Sequence, residues 1–289
     1  MGTVDRRGAT RLIRRAVDQG VAFLDTAEAY GDTESLLGEA LKEGYRDKVY
    51  LATKVSRDFS REGVRRAAEA SLRALQTDRI DLYQLHRYDP SVPLQETLEE
   101  VARLQEEGLI RHIGVSNFDN RRLAEAVKIA PIITNQINYN ALNRAPEKEH
   151  LQFCKEQGVR IIGHSSLAKG LLTGKYEQGH RFSPEDERSQ FEDYTGDALA
   201  YYLAAVEDIT AVAQKWGITT VQASLAWVLA REEVASVLVG PKKEKQLNES
   251  IRATEALSPD GRAHLREELD RILDRHKLPP LCPSPNQLV

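Results

Sequence analysis

Three stretches of this sequence, DQGVAFLD, EEGLIRHIGV and EQGVRIIG, repeat one joint: a helical pattern, a glycine, then an apolar run. Gly20, Gly108 and Gly158 fall just past a helix end, where the backbone needs a positive φ that glycine adopts without steric cost. An apolar run straight after such a stop reads as a strand buried on both faces, as in parallel sheets covered by helices. A chain that repeats helix, stop and buried strand is confined to α/β architecture.

Extended along the chain, this reading gives strands at 21–25, 49–54, 80–86, 110–116, 132–136, 159–163 and 235–240, with amphipathic stretches between them. Leu94, Leu98, Val101 and Leu104 share one helix face, and Ser60 caps a helix carrying Val64, Ala67, Leu72 and Leu75. The long interval after residue 163 holds a polar stretch, YEQGHRFSPEDERSQFEDYTGD, read as a loop over one face, followed by two helices. Seven strand–helix units point to an α/β chain of the eight-stranded (β/α)8 TIM-barrel class with one strand missing and seven readable. The competing architecture, an open doubly wound sheet, usually has a G-x-G-x-x-G turn after a strand, and this sequence has none. No Pro- or Gly-rich linker divides residues 1–289, so one domain is expected.

Composition narrows the partners. A formal net charge of −4, with no dense basic block, argues against nucleic acid. No apolar run reaches the ~18 residues that a membrane span requires. Cys154 and Cys282 lie far apart and form neither a metal signature nor a disulfide framework, which fits a reducing cytosol and no metal. The opening residues contain arginines but no apolar core of a secretory signal, so a cytoplasmic location is expected.

The strand ends carry the chemistry. Asp25, Lys54, His86, Ser116, Asn117, Gln136, His164, Ser165 and Gly240 close successive strands, with Tyr30 in the first loop and Lys242 and Lys243 after the last. A barrel brings all of these ends to one rim, where active sites sit. Singly, each has an ordinary explanation as a cap, a solvated charge or packing. Together they suggest a proton donor: Tyr30, with a usual pKa of about 10, would be acidified by a Lys54 ammonium that Asp25 holds in place, while His86 orients a carbonyl. Such a site lacks only a hydride donor.

FLDTAEAYG, LATK, DLYQLH, IRHIGVSNF, NQINYN and GLLTGKY, in order from about residue 7 to about 255, closely resemble the aldo-keto reductases, NAD(P)H-dependent enzymes built on a (β/α)8 barrel. The resemblance implies that Asp25, Tyr30, Lys54 and His86 are a catalytic tetrad, with Tyr30 the general acid in reduction of an aldehyde or ketone. It implies that Ser116, Asn117 and Gln136 hold a nicotinamide carboxamide, and that His164 stands where an aromatic ring often stacks on the nicotinamide. Ser165 and Leu167 match the loop along the diphosphate. Gly240 closes the last strand beside the cofactor, Lys242 matches a basic residue near the adenosine ribose, and Gln246 and Ser250 match adenosine contacts. A cation at Lys242 favours NADP(H) over NAD(H).

Several positions depart from the family pattern. HSSLAKG replaces a usual Tyr-Ser-Pro-Leu, Ser250 a common Asn and Lys245 a common Glu, each expected to weaken cofactor affinity. Family members usually open with a β-hairpin and a first barrel strand that are not readable here; a late start codon, a shortened form and a partner segment filling the gap are the competing explanations. Two other functions stay open: a cofactor-binding, redox-sensing subunit, and an inactive truncated chain. Substrate choice is expected to reside in the insertion 176–198 and the tail KLPPLCPSPNQLV.

Overall fold

The computed structural model describes residues 5–276 and residue 278. Seven strands form one parallel sheet in strict chain order: β1 (Phe23–Asp25), β2 (Tyr50–Val55), β3 (Ile80–Leu85), β4 (Ile110–Ser116), β5 (Ile132–Asn138), β6 (Arg160–His164) and β7 (Val234–Val237). Helices alternate with them: α1 (Arg6–Asp18), α2 (Thr33–Ala40), α3 (Arg61–Leu75), α4 (Leu94–Glu106), α5 (Asn120–Ile129), α6 (His150–Glu156), α7 (Gly196–Lys215), α8 (Thr220–Leu229), α9 (Glu244–Glu255) and α10 (Pro259–His276). Because strand order never reverses, the sheet has no switch point of the doubly wound kind; it curls as an incomplete (β/α)8 barrel. Among the described residues β1 and β7 do not pair with each other, but the helical layer closes beside them. Arg15 of α1 meets Glu244 of α9 at 3.1 Å, and Gln19 donates to Asn248 at 2.9 Å.

The joints behave as their glycines require, with φ of +89°, +79° and +71° at Gly20, Gly108 and Gly158. The Ser60 hydroxyl caps α3 by accepting from the Gly63 N–H, and Leu94, Leu98, Val101 and Leu104 are all buried. Only β4 keeps both of its expected bounds; the other strands shift at one or both ends, with Gln136 falling inside β5 and His86 just past β3, and two of the shifts have a visible cause. β1 starts at Phe23 because the Val21 N–H is taken by the Ala16 carbonyl at the end of α1. β7 stops at Val237, so Gly240 is not a strand-end residue but lies exposed in the following loop. Its partner β6 turns away at Ser165 (φ +53°), and Pro241 has no N–H to continue a ladder.

Strand alternation separates two cores. The larger packs the outer faces of the strands against the helices. The smaller, Ala52, Leu82 and Ile162 with Phe23 and Leu238 against them, fills the inside of the curl. One step further along the strands the same inward face turns polar, and the site begins there. Among the described residues no helix is long and apolar enough to cross a membrane.

Candidate active site

Asp25, Lys54 and Gln84 project from neighbouring strands into the interior, above the small apolar cluster. The Lys54 ammonium, with no exposed side-chain surface, donates to Asp25 Oδ2 at 2.5 Å and to the Thr26 carbonyl at 2.8 Å. The other carboxylate oxygen of Asp25 accepts from Gln84 at 3.1 Å and from Gln136 at 2.9 Å. A buried ion pair is tolerated only when its remaining hydrogen-bonding capacity is met, and here two amides meet it. Glycine makes room for this cluster: a Cβ on Gly114 would sit 2.4 Å from Thr134 Oγ1 and 3.1 Å from the Gln84 side chain.

Tyr30 reaches the same cluster from the loop after β1. Its hydroxyl lies 3.4 Å from His86 Nε2, and the Lys54 ammonium is 5.2 Å from the centre of its ring. The loop is stitched to the end of β2, with Glu28 accepting from the Ser56 N–H at 2.9 Å and donating its own N–H to the Lys54 carbonyl at 3.1 Å.

The four residues therefore meet, but not with the electrostatics expected from the sequence. Burial, reinforced by the Asp25 charge, pushes Tyr30 up to about 12 instead of down. The residue is 46% exposed, so the penalty belongs to its hydroxyl end, which faces His86. The ammonium cannot overcome it because Asp25, in direct contact, cancels much of its field at the phenol. Burial also drives Lys54 below its usual value against the pull of Asp25, and drives His86 down to about 4, helped by the charges of Lys54 and Arg87.

Ser116, Asn117, His164 and Ser165 form one chain of hydrogen bonds whose direction is set at its end. The Ser116 hydroxyl donates to the Gln136 carbonyl (2.9 Å), so its oxygen accepts from Asn117 Nδ2 (3.1 Å). That leaves Asn117 Oδ1 to accept from His164 Nε2 (3.1 Å), and His164 Nδ1 to accept from Ser165 (3.1 Å). The ring is held neutral: burial, with the charges of Lys54 and His86, takes it down to about 3. Asn117 sits at φ +58° and its turn is pinned by Asn135, which donates to the Phe118 carbonyl at 2.9 Å.

Leu167 precedes a strained run, Ala168 and Lys169 at φ +46° and +48° and Gly170 at +98°. The insertion expected to be merely polar clamps it. Arg188, paired with Asp186 at 2.6 Å and 4.2 Å from the Phe182 ring centre, donates to the Lys169 carbonyl at 2.9 Å. Tyr194 donates to the Ala168 carbonyl at 3.2 Å, and α7 begins at Gly196, inside the expected loop. On the far side, Lys242 and Gln246 are exposed at the start of α9 and Ser250 is half-buried. The Gln246 side-chain oxygen caps that helix by accepting from the backbone N–H groups of Lys242 and Lys243, at 2.8 and 3.2 Å. The tail lies outside the described residues except for Leu278, which packs on the core.

Sequence reasoning missed Gln84, Ser56, Glu28, Asn135 and Arg188. For Gln84 and Ser56 the signal was present: each is two residues from a singled-out position, Gln84 before His86 and Ser56 after Lys54, hence on the same strand face.

Comparison with known proteins shows which family the chain resembles. The model of the Aldo/keto reductase family matches residues 1–269. The chain is 36% identical over 259 residues to the aldo-keto reductase YhdN of Bacillus subtilis (strain 168), covering 85% of this chain and 78% of that protein. It is 34% identical over 245 residues to the aldo-keto reductase str7 of Strobilurus tenacellus, covering 81% and 72%. Among solved structures, the glycerol dehydrogenase AKR11B4 from Gluconobacter oxydans matches with a TM-score of 0.88 at 30% identity, over 98% of this chain and 90% of that one. The thermostable aldo-keto reductase Tm1743, in complex with the inhibitor epalrestat, matches with a TM-score of 0.76 at 31% identity, over 92% and 88%.

Proposed function

We propose, from the premise that this chain belongs to the aldo/keto reductase family and is an NAD(P)H oxidoreductase, that it reduces an aldehyde or ketone to the alcohol with Tyr30 as general acid. The observation that supports this reading most directly is the Tyr30 hydroxyl 3.4 Å from His86 Nε2, beside a buried Lys54–Asp25 pair. A phenol held near 12 is protonated throughout the neutral range, which is the form reduction needs. The reverse reaction needs the phenolate, so alcohol oxidation is expected to rise with pH while reduction stays flat across neutrality.

The donor set suits a nicotinamide dinucleotide, which supplies the hydride when bound. Ser116, Asn117 and Gln136 offer a hydroxyl and two amides to a carboxamide. Ser165 and Leu167 would lie along the diphosphate, His164 would stack at the nicotinamide, and Gln246 and Ser250 would flank the adenosine, with Gly240 leaving space for its approach. Lys242 would meet a 2′-phosphate at the start of α9, where the positive end of the helix dipole also favours an anion, and this makes NADPH the preferred cofactor. Because Gln246 already caps α9, its amide nitrogen is the atom left for adenine.

The test follows nicotinamide absorbance with a panel of simple aldehydes and ketones. Tyr30→Phe is expected to lower kcat by about 10²–10⁴-fold, with little change in cofactor affinity. Normal turnover by Tyr30→Phe would overturn the assignment of the acid.

A further inference from the structure

Ser56 stands two residues after Lys54, so strand alternation turns it to the inside of the curl, and Glu28 fixes its backbone through the 2.9 Å bond to its N–H. Its hydroxyl is 2.7 Å from His86 Nδ1 and 3.4 Å from the Lys54 carbonyl. The other ring nitrogen faces the Tyr30 hydroxyl. A neutral imidazole has one N–H, so one nitrogen donates and the other accepts.

Two arrangements compete. With the proton on Nδ1, that nitrogen donates to Ser56, and the serine hydrogen is left to the Lys54 carbonyl across 3.4 Å, beyond the usual O–H···O range of about 2.5–3.0 Å. Nε2 is then a bare acceptor for the Tyr30 hydroxyl, competing with substrate for the acid's proton. With the proton on Nε2, Ser56 donates to Nδ1 along the 2.7 Å contact, a length typical of a hydroxyl donor, and its hydrogen is well used. The Nε2–H then faces the Tyr30 hydroxyl as a donor and no longer competes for the acid's proton.

We infer that Ser56 is a positioning residue that holds His86 in the tautomer protonated on Nε2, so that His86 and Tyr30 present two donors to one substrate oxygen. The second half of this inference rests on the reading of Tyr30 as the acid; the tautomer itself does not.

The experiment is nitrogen NMR of the full chain with imidazole-labelled histidine near pH 7, with His86 assigned by the signals lost in His86→Gln. The expected spectrum has a pyridine-type Nδ1 and a pyrrole-type Nε2. Ser56→Ala is expected to move both signals toward averaged values and to lower kcat for carbonyl reduction about tenfold at unchanged cofactor KM; Ser56→Thr, which keeps the hydroxyl, restores both. A pyrrole-type Nδ1 in the parent chain, or an unchanged spectrum in Ser56→Ala, overturns the inference. A chain that turns over no carbonyl but loses its pyridine-type Nδ1 in Ser56→Ala would sink the proposed reaction and still support the hold of Ser56 on His86.

Discussion

Two arcs of the same rim handle charge in opposite ways. Along β1 to β3, Lys54 and Asp25 are withdrawn from water, and every contact described for their charged groups is to another group of the chain: two amides, a backbone carbonyl, the Tyr30 ring and each other. Along β7 and α9, Lys242, Lys243 and Lys245 stand exposed, and Gln246 is occupied with capping the helix. The contrast separates charge that the fold must neutralise by itself from charge left for something outside the fold to neutralise. Removing a group from the first arc should therefore damage the folded chain, whereas removing one from the second should damage only binding.

The sharpest way to break that comparison is Lys54→Met. It leaves the Asp25 carboxylate buried without its cation, which costs on the order of 3–5 kcal/mol. Urea unfolding with and without the substitution measures it. A loss under about 1 kcal/mol would mean that the first arc is as tolerant of solvent as the second.

The two arcs were also unequally legible in the sequence. The position of Lys54 follows from strand parity: two residues after Ala52, it faces the same interior one step nearer the rim, with Val55 after it ending the strand. Its partnership with Asp25 was readable because Asp25 ends β1, Lys54 is next to the end of β2, and the two strands pair side by side. What could not be read was the sign of the effect on Tyr30, because that depends on how closely the carboxylate cancels the ammonium and how dry the phenolic oxygen is. Strand parity alone would have found Gln84 and Ser56. The end of β7 was misplaced because VASVLVG is apolar beyond the point where β6 stops offering hydrogen-bond partners. The clamp by Arg188 was hidden for another reason: a segment that looks polar residue by residue folds its aromatic rings around a guanidinium.

A smaller effect sharpens the comparison through pH. His86 and His164 both sit in or beside the dry part of the rim and stay neutral down to about 4 and about 3. In the unfolded chain both imidazoles would take up protons below about 6.5. Between about pH 6.5 and 4 the unfolded state therefore binds more protons, and stability falls as pH falls, by on the order of a few kcal/mol for the pair. Unfolding free energies at stepped pH should show this slope, and His86→Gln should remove roughly half of it between about pH 6.5 and 5. A slope unaffected by His86→Gln would place the titrating groups elsewhere and remove this distinction between the arcs.

The smallest effect belongs to the exposed arc. Lys242 precedes α9, and the contact described for it is that of its backbone N–H with Gln246, which any side chain at this position preserves. Lys242→Met should change unfolding free energy by no more than about 0.5 kcal/mol. If the ammonium meets a 2′-phosphate, the same substitution should raise the Kd for NADPH about tenfold, as expected for one lost charge-assisted contact, and leave the Kd for NADH unchanged. Titration of both cofactors by calorimetry separates the outcomes. Equal losses for both would assign Lys242 to the diphosphate or to the shape of the loop. No loss for either would leave the phosphate preference to Lys243 or Lys245, one helical step away on the same exposed turn.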